Sequence, residues 1–277
     1  MRFAVALLLL AGCAHPLAGL TERTAVSTTE GAFEIASAPA CTADVALTTH
    51  AVQHAAPILL KWGKAESKVT IYLAPSHAAL EEAVWRYDYD WLRAWARYDD
   101  VILQTPASWA KPGATQADLD ELLTHELTHC VMYQNAGAVN DWEARKIPLW
   151  FREGMATYTA RQGPRFPTLE DLARWYDQHP GDDPVLSPDG LYQKHSEIVY
   201  AAAHQAFEFL IRRHGEPVVA RLLHSMRVGR TFSQAFYDVL GVDEQAFLLD
   251  VVHYIKWRGF KGRAHLATPI QAPPPKP

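Results

Sequence analysis

The stretch His125-Glu126-Leu127-Thr128-His129 decides the fold of this chain. Residues four apart lie on the same face of a helix, so the two histidines can point into one space and bind a single zinc ion. Glu126 directly follows the first histidine and can lie beside the metal, as general base toward a zinc-activated water. The motif is short, and the surrounding sequence has to show that it lies on a helix.

The surrounding sequence predicts a helix over about residues 116–134. Thr115 is the expected N-cap, and acidic residues follow it in the first turns, where they interact favourably with the helix dipole. Apolar residues recur at helical spacing from 119 to 132, and Asn135 and Gly137 end the pattern. The alternative is a core helix with two incidental histidines, which would be costly to bury without a partner.

A catalytic zinc site needs a third protein ligand and an open position for water. The segment 147–158 offers Glu153, the one carboxylate in an otherwise largely apolar stretch. Pro148 suits the first turn of a second helix. The alternative for Glu153 is a surface ion pair with Arg152 or Arg161.

H-E-L-T-H followed by P-L-W-F-R-E-G-M-A-T-Y resembles the gluzincin metallopeptidases, and within them the bacterial peptidase MA-like family. The resemblance covers about residues 68–257 and is strongest in those two segments. It implies that His125, His129 and Glu153 bind one Zn²⁺ ion and that Glu126 is the catalytic base.

The chain departs from the family pattern at one position. Thermolysin-like gluzincins carry an acidic residue four positions after the ligand glutamate, where it orients a zinc-bound histidine. Thr157 occupies that position here. Either its hydroxyl accepts a hydrogen bond from an imidazole, or a carboxylate from elsewhere takes this role.

The resemblance further implies a tyrosine or histidine that stabilises the oxyanion of the reaction. Tyr200 is the leading candidate for this catalytic role, because it opens the third long helix of the family-like pattern. His195, His204, Tyr192 and Tyr158 remain alternatives.

The amino terminus is typical of an exported bacterial lipoprotein. Residues 3–10 form an apolar run that is too short to span a bilayer. The segment Leu10–Cys13 resembles a lipobox, which implies removal of the signal peptide 1–12 and a lipid anchor on Cys13. An ordinary signal peptide, cut near residue 14 or 18, is the alternative. No aspartate follows Cys13, so bacterial sorting rules imply the outer membrane, facing the periplasm or the surface.

Composition divides the rest of the chain into three parts. Residues 13–40 are rich in small and hydroxylated residues and predict a lipidated cysteine followed by a flexible tether. Residues 41–260 suit one metallopeptidase domain, and the proline-rich residues 261–277 predict a disordered tail. Cys41 and Cys130 have two equal interpretations, a disulfide in an oxidising compartment or two separate buried thiols.

We predict an α+β fold, a zincin-like (gluzincin) domain with a small N-terminal mixed sheet, the HExxH helix and a mostly helical C-terminal half. The predicted elements are a helix at 43–61, a strand at 69–73, a helix at 77–86, a strand pair within 92–105, and helices at 116–134, 149–161, 169–178, 191–213, 216–226, 232–239 and 244–257. By the family resemblance, residues 101–105 form the sheet edge where a peptide substrate adds as a strand. Six aromatic residues between Trp85 and Tyr98 form either a core cluster or a substrate rim.

Composition and charge narrow the function. With a net charge of −5, the chain offers no electrostatic argument for binding nucleic acid. The sequence also contains no glycine-rich phosphate-binding loop. We therefore predict a monomeric, membrane-tethered zinc peptidase whose partner is a peptide or protein substrate. The alternatives are a zinc hydrolase of a non-peptide cell-envelope amide and a catalytically inactive zincin-like binding lipoprotein.

Overall fold

The computed structural model describes residues 15–109 and 113–258. Within these ranges a small sheet forms the N-terminal part and helices dominate from residue 116 onward, in agreement with the predicted α+β class. No helix there is long and apolar enough to cross a membrane. The predictions for the signal peptide, for Cys13 and for the tail 261–277 fall outside the described residues.

Five strands in the described residues form one mixed sheet, in the order β1-β2-β3-β5-β4. β1 pairs antiparallel with β2, β2 and β5 both pair parallel with β3, and β4 pairs antiparallel with β5. Ile71 stands at the centre of the sheet, opposite Ile35 on one side and Val101 on the other. The strands are β1 Glu22–Ser27, β2 Ala32–Ser37, β3 Val69–Ala74, β4 Ala94–Ala96 and β5 Asp100–Gln104.

The prediction of a flexible tether over residues 13–40 was wrong for the segment from Glu22 to Ser37. This segment is a β-hairpin, and its second strand is an interior strand of the sheet. Phe33 and Ile35 point into the core and are 3% and 0% exposed. The segment was predicted as a tether because most of its residues are small or polar, so that its few apolar residues did not indicate a strand. Its pairing partner β3 lies much later in the chain.

The predicted edge strand was also misplaced. β5, which contains residues 101–104, lies between β3 and β4 and is therefore internal. β4 is the edge, and its unpaired side borders the cleft described below. β4 and β5 form an antiparallel pair within the predicted range 92–105, and the turn between them includes Asp99.

The helices follow the predicted positions closely. They are α1 Thr42–Leu59, α2 His77–Val84, α3 Gln116–Ala136, α4 Leu149–Thr159, α5 Leu169–Gln178, α6 Ser196–His214, α7 Pro217–Arg227, α8 Phe232–Leu240 and α9 Glu244–Lys256. The largest difference is the start of α6, at Ser196 instead of near 191, because residues 189–194 form turns.

Two local features fix the helices that carry the HExxH motif and Glu153. Thr115 and Asp118 form a capping box at the start of α3, in which each side chain accepts from the other's backbone N–H. α4 packs so closely on α6 that a Cβ atom on Gly154 would lie 2.4 Å from the carbonyl oxygen of Ala203. Only glycine permits this approach, which sets the distance of α4 from the core.

The possible disulfide does not form, since Cys41 and Cys130 are both free. The Sγ atom of Cys130 donates to the carbonyl oxygen of Arg97 at 3.2 Å, so this thiol faces the β4–β5 turn. Cys41 lies elsewhere, directly before α1. A disulfide requires two Cβ atoms directed at each other, and Cys130 has a different neighbour. Burial raises the pKa of the Cys130 thiol well above its ordinary value, which keeps it protonated.

Candidate metal centre and active site

Three predicted ligand side chains meet between α3 and α4. His125 and His129 lie one turn apart on α3, and their Nε2 atoms are 3.2 Å apart. From α4, the Oε2 atom of Glu153 lies 3.4 Å from Nε2 of His125 and 3.5 Å from Nε2 of His129. All three residues are buried, so Glu153 is not the surface ion-pair partner of the alternative interpretation.

The spacing of these atoms suits a tetrahedral ion. Zinc bonds of about 2.0–2.1 Å at tetrahedral angles place neighbouring ligand atoms about 3.3–3.4 Å apart. The three observed separations run from 3.2 to 3.5 Å. Two imidazole nitrogens and one carboxylate oxygen are also a known donor set of catalytic zinc sites. Within residues 15–109 and 113–258, this is the one group of three or more His, Cys, Asp or Glu side chains that lie close enough together to bind a metal ion.

The close contact of these side chains shifts the pKa values of Glu153 and His125. Burial acts to raise the pKa of Glu153, but the charges and hydrogen bonds of His129 and His125 outweigh it and hold that pKa well below its ordinary value. Burial acts to lower the pKa of His125, but the hydrogen bond that its protonated ring donates to Glu153 and the charges of Glu126 and Glu153 raise it overall. The site therefore presents an ionised carboxylate to whatever cation occupies it.

Gln162 fixes the tautomer of His125. Its Nε2 atom donates to Oε1 of Glu121 at 3.0 Å, which turns the amide oxygen toward His125. That oxygen lies 2.9 Å from Nδ1 of His125 and can only accept, so Nδ1 carries a proton. In the neutral imidazole, which is the form that binds a metal, the lone pair is therefore on Nε2. Arg165 pairs with the other oxygen of Glu121 at 3.1 Å and holds this carboxylate in place.

Thr157 does not orient either of the two candidate ligand histidines, which was one of the two alternatives for this position. Its Oγ1 atom donates to the carbonyl of Gly154 and lies 3.2 Å from Nδ1 of His204, which is not one of the candidate ligands. The Nδ1 atom of His129 is buried without a partner. Of the two histidines, therefore, only His125 is oriented by a hydrogen bond from its second ring nitrogen. The acceptor is the amide of Gln162, which Glu121 holds in place. Sequence reasoning missed Gln162 because an amide beyond the end of α4 has no recognised motif.

Glu126 lies in the same cleft and is 7% exposed. Burial raises its pKa, although the charges of His125 and His129 oppose the shift. The backbone N–H of Ala96, on the edge strand β4, donates to its carboxylate. A carboxylate held this way, with a raised pKa, is better suited to accept a proton near neutral pH than an exposed one.

A cleft of about 620 Å³ surrounds the three candidate ligands and Glu126. Residues of β4 and α3 contribute to its lining. Aromatic side chains of the lining form a rim, in which the ring of Trp91 lies 5.8 Å from that of Tyr192 and 6.0 Å from that of Tyr200. Tyr89 and Trp95 also line the cleft, whereas Tyr98 is buried in the core. Three of the six aromatic residues in segment 85–98 thus line the cleft.

Two of the five oxyanion candidates line this cleft. The hydroxyls of Tyr200 and Tyr192 are 2.9 Å apart, and the ring of Tyr200 lies 6.3 Å from that of His125. Burial raises the pKa of both tyrosines, so both hydroxyls remain protonated and able to donate.

The other three candidates face elsewhere. Tyr158 donates its hydroxyl proton to Glu216 at 3.1 Å. His195 packs against the indole of Trp175 at 4.8 Å, and His204 contacts Thr157. None of these three side chains lines the cleft.

Comparison with known families gives one match. The model of a family described as the Peptidase MA superfamily matches residues 58–256. The matched range contains α3, α4 and the cleft, and it leaves the β1–β2 hairpin outside. No curated protein matches the sequence significantly.

Proposed function

Because the chain belongs to the Peptidase MA superfamily, we propose that it is a zinc-dependent peptidase of the gluzincin type. Membership of this superfamily supports a peptidase function. The observation that carries the finer proposal is the convergence of His125, His129 and Glu153 with Glu126 in one cleft at the sheet edge.

His125, His129 and Glu153 would hold one Zn²⁺ ion. When bound there, the ion would lower the pKa of a water molecule and polarise the scissile carbonyl. Gln162 supports this role by favouring the neutral tautomer of His125 that has its lone pair on Nε2. Glu153 supports it because its low pKa keeps the carboxylate charged over the physiological range.

Glu126 takes the proton of the attacking water and later returns it to the leaving amine. Its raised pKa suits both transfers, and the Ala96 N–H keeps the carboxylate beside β4. Tyr200 donates its hydroxyl proton in a hydrogen bond to the oxyanion that forms on the carbonyl, with Tyr192 as the supporting partner 2.9 Å away.

The substrate is an extended peptide. β4 is a three-residue edge strand with one side unpaired, and it borders the cleft beside Glu126. A peptide laid along it can form main-chain hydrogen bonds as an added strand, which presents a carbonyl to the site. The aromatic rim supplies contact area for substrate side chains.

The test uses purified protein with two variants. We expect one zinc per chain in the native protein and in Glu126→Gln, cleavage of a peptide library by the native protein alone, and loss of zinc in Glu153→Ala. Full zinc occupancy in Glu153→Ala would remove this residue from the ligand set. Equal cleavage by Glu126→Gln would contradict the base assignment.

Zinc binding without any peptide cleavage would favour one of the two alternatives. A panel of cell-envelope amides would then separate a non-peptide hydrolase from an inactive binding lipoprotein.

We further propose that the protein is exported as a monomer and anchored by lipid on Cys13 to the outer membrane of a bacterial envelope. The support is the lipobox-like segment before Cys13, which the family match does not cover. Metabolic labelling with a fatty-acid analogue should mark the native protein and not Cys13→Ser. Equal labelling of both would exclude this anchor.

A further inference from the structure

Arg152 lines the cleft from α4, one residue before the candidate ligand Glu153. Its guanidinium is largely buried, and its Nε atom has no hydrogen-bond partner. It contacts the hydroxyl of Tyr133. Among the residues that the structure describes, no carboxylate lies within ion-pair distance of it, and the charge of Glu153 attracts it only from farther away, since that carboxylate faces the two histidines.

The other arginines that line the described cleft have partners within the protein. Arg165 pairs with Glu121 at 3.1 Å. Arg93 donates to two backbone carbonyls of its own loop, at 2.7 and 2.8 Å. Arg86 lies over an indole ring at 5.0 Å. Among these four arginines, Arg152 is the one with a buried donor atom that has no partner in the described residues.

A buried N–H donor without a partner is unfavourable, and a carboxylate can satisfy the Nε donor of Arg152 through paired, charge-assisted hydrogen bonds. The location suits a substrate group. Tyr133 stacks on the imidazole of His129, with ring centroids 6.0 Å apart, so Arg152 and Tyr133 lie beside the candidate metal centre. A group held there belongs to a substrate residue close to the scissile bond.

We propose that Arg152 is a specificity determinant that binds a carboxylate of the substrate near the scissile bond. The preferred substrates are peptides with an acidic side chain or a free C-terminal carboxylate at that place. This inference rests on the proposed peptidase function and names its substrate class. Sequence reasoning weighed Arg152 only as a surface partner of Glu153.

The kinetic test starts from a library peptide that the native protein cleaves. Matched peptides carry Glu or Gln at each position around the scissile bond, and an acid or an amide at the C-terminus, which separates the two sources of the carboxylate. We expect kcat/KM to favour one carboxylate over its amide about tenfold or more. Arg152→Met should abolish this preference, mainly through KM for the acidic peptide.

Three further variants separate recognition from general effects. Arg93→Met removes a charge from the same cleft but should keep the preference, because that guanidinium is bound by its own loop. Tyr133→Phe removes the hydroxyl contact of Arg152 and should also keep the preference for the carboxylate peptide. Arg152→Lys retains charge without the planar pair of donors and should show a reduced preference. This variant also serves if Arg152→Met does not fold.

A binding test remains decisive if no peptide is cleaved. Zinc-loaded Glu126→Gln, with and without Arg152→Met, is titrated with fluorescently labelled library peptides. These are prepared in matched forms with Glu or Gln and with a C-terminal acid or amide. The proposal requires tighter binding of an acid peptide that disappears with Arg152→Met. Equal affinities for acid and amide, no binding of either, or a preference retained in Arg152→Met would overturn it. Absence of cleavage by the native protein would instead count against the proposed function.

Discussion

Replacing Gly154 by alanine tests whether the packing of α4 on α6 positions the metal site. The new Cβ would lie 2.4 Å from the carbonyl oxygen of Ala203 and 2.6 Å from Cβ of Phe207, where ordinary contact begins near 3.4 Å. The two helices must separate by about 1 Å, because a backbone carbonyl within a helix cannot rotate away. Glu153 is the adjacent residue and would move with α4.

The expected cost follows from two opposing effects. Overpacking costs about 1–3 kcal/mol, and a carbonyl obstacle favours the upper part of that range. Alanine in a helix interior returns about 1 kcal/mol relative to glycine. A net loss of about 1–2 kcal/mol lowers the Tm of a domain of this size by about 2–8 °C.

Thermal unfolding of the metal-free protein, followed by circular dichroism, measures this cost. A zinc titration against a competing chelator measures the displacement of Glu153, and affinity should fall. Gly190→Ala is the control, since nothing lies within 4 Å of its Cβ position. If Gly154→Ala unfolds at the same temperature as Gly190→Ala or higher, the close helix contact does not constrain α4 and the reasoning fails.

Four other substitutions have definite expected outcomes. Gln162→Ala should weaken zinc binding about 10–100-fold in a chelator competition assay, because His125 loses its orienting acceptor; an unchanged affinity would separate Gln162 from metal binding. Tyr200→Phe should lower kcat about 10²–10³-fold with KM nearly unchanged and Tyr192→Phe should have less effect, so the reverse order in steady-state kinetics would exchange their roles. Glu126→Gln should raise the Tm of metal-free protein near pH 7. Burial raises the folded-state pKa of Glu126, so its ionisation costs stability above the unfolded-state pKa and costs nothing well below it. A gain that persisted undiminished at pH 3 would have another origin.

Local signals account for what the sequence predicted well. The N-cap Thr115, the apolar periodicity and the i, i+4 histidines all lie within one helix, so no distant partner was needed to recognise α3. Glu153 stood out as a lone carboxylate in an apolar segment. Its approach to the histidines follows from α4 packing beside α3, which the family resemblance supplied and composition did not.

The features that the sequence did not reveal depend on distant contacts. Arg161 adopts a positive φ of 57° after α4, and this turn directs Gln162 back toward α3. Nothing local marks Gln162 as the partner of His125, which lies far away in the chain. The β1–β2 hairpin escaped notice for the same reason, since its register is set by β3.

The β1–β2 hairpin limits how far a lipid on Cys13 would let the enzyme travel. Leu17 already packs against the apolar cluster around Leu80, so a leash of four residues, 13–16, would remain. Fully stretched at about 3.5 Å per residue, it reaches about 14 Å. β1 and β4 are opposite edges of the sheet, and four strand spacings of about 4.8 Å add about 19 Å. Anchored in this way, the cleft would work within a few tens of ångströms of the bilayer, on chains that emerge from it or lie along it.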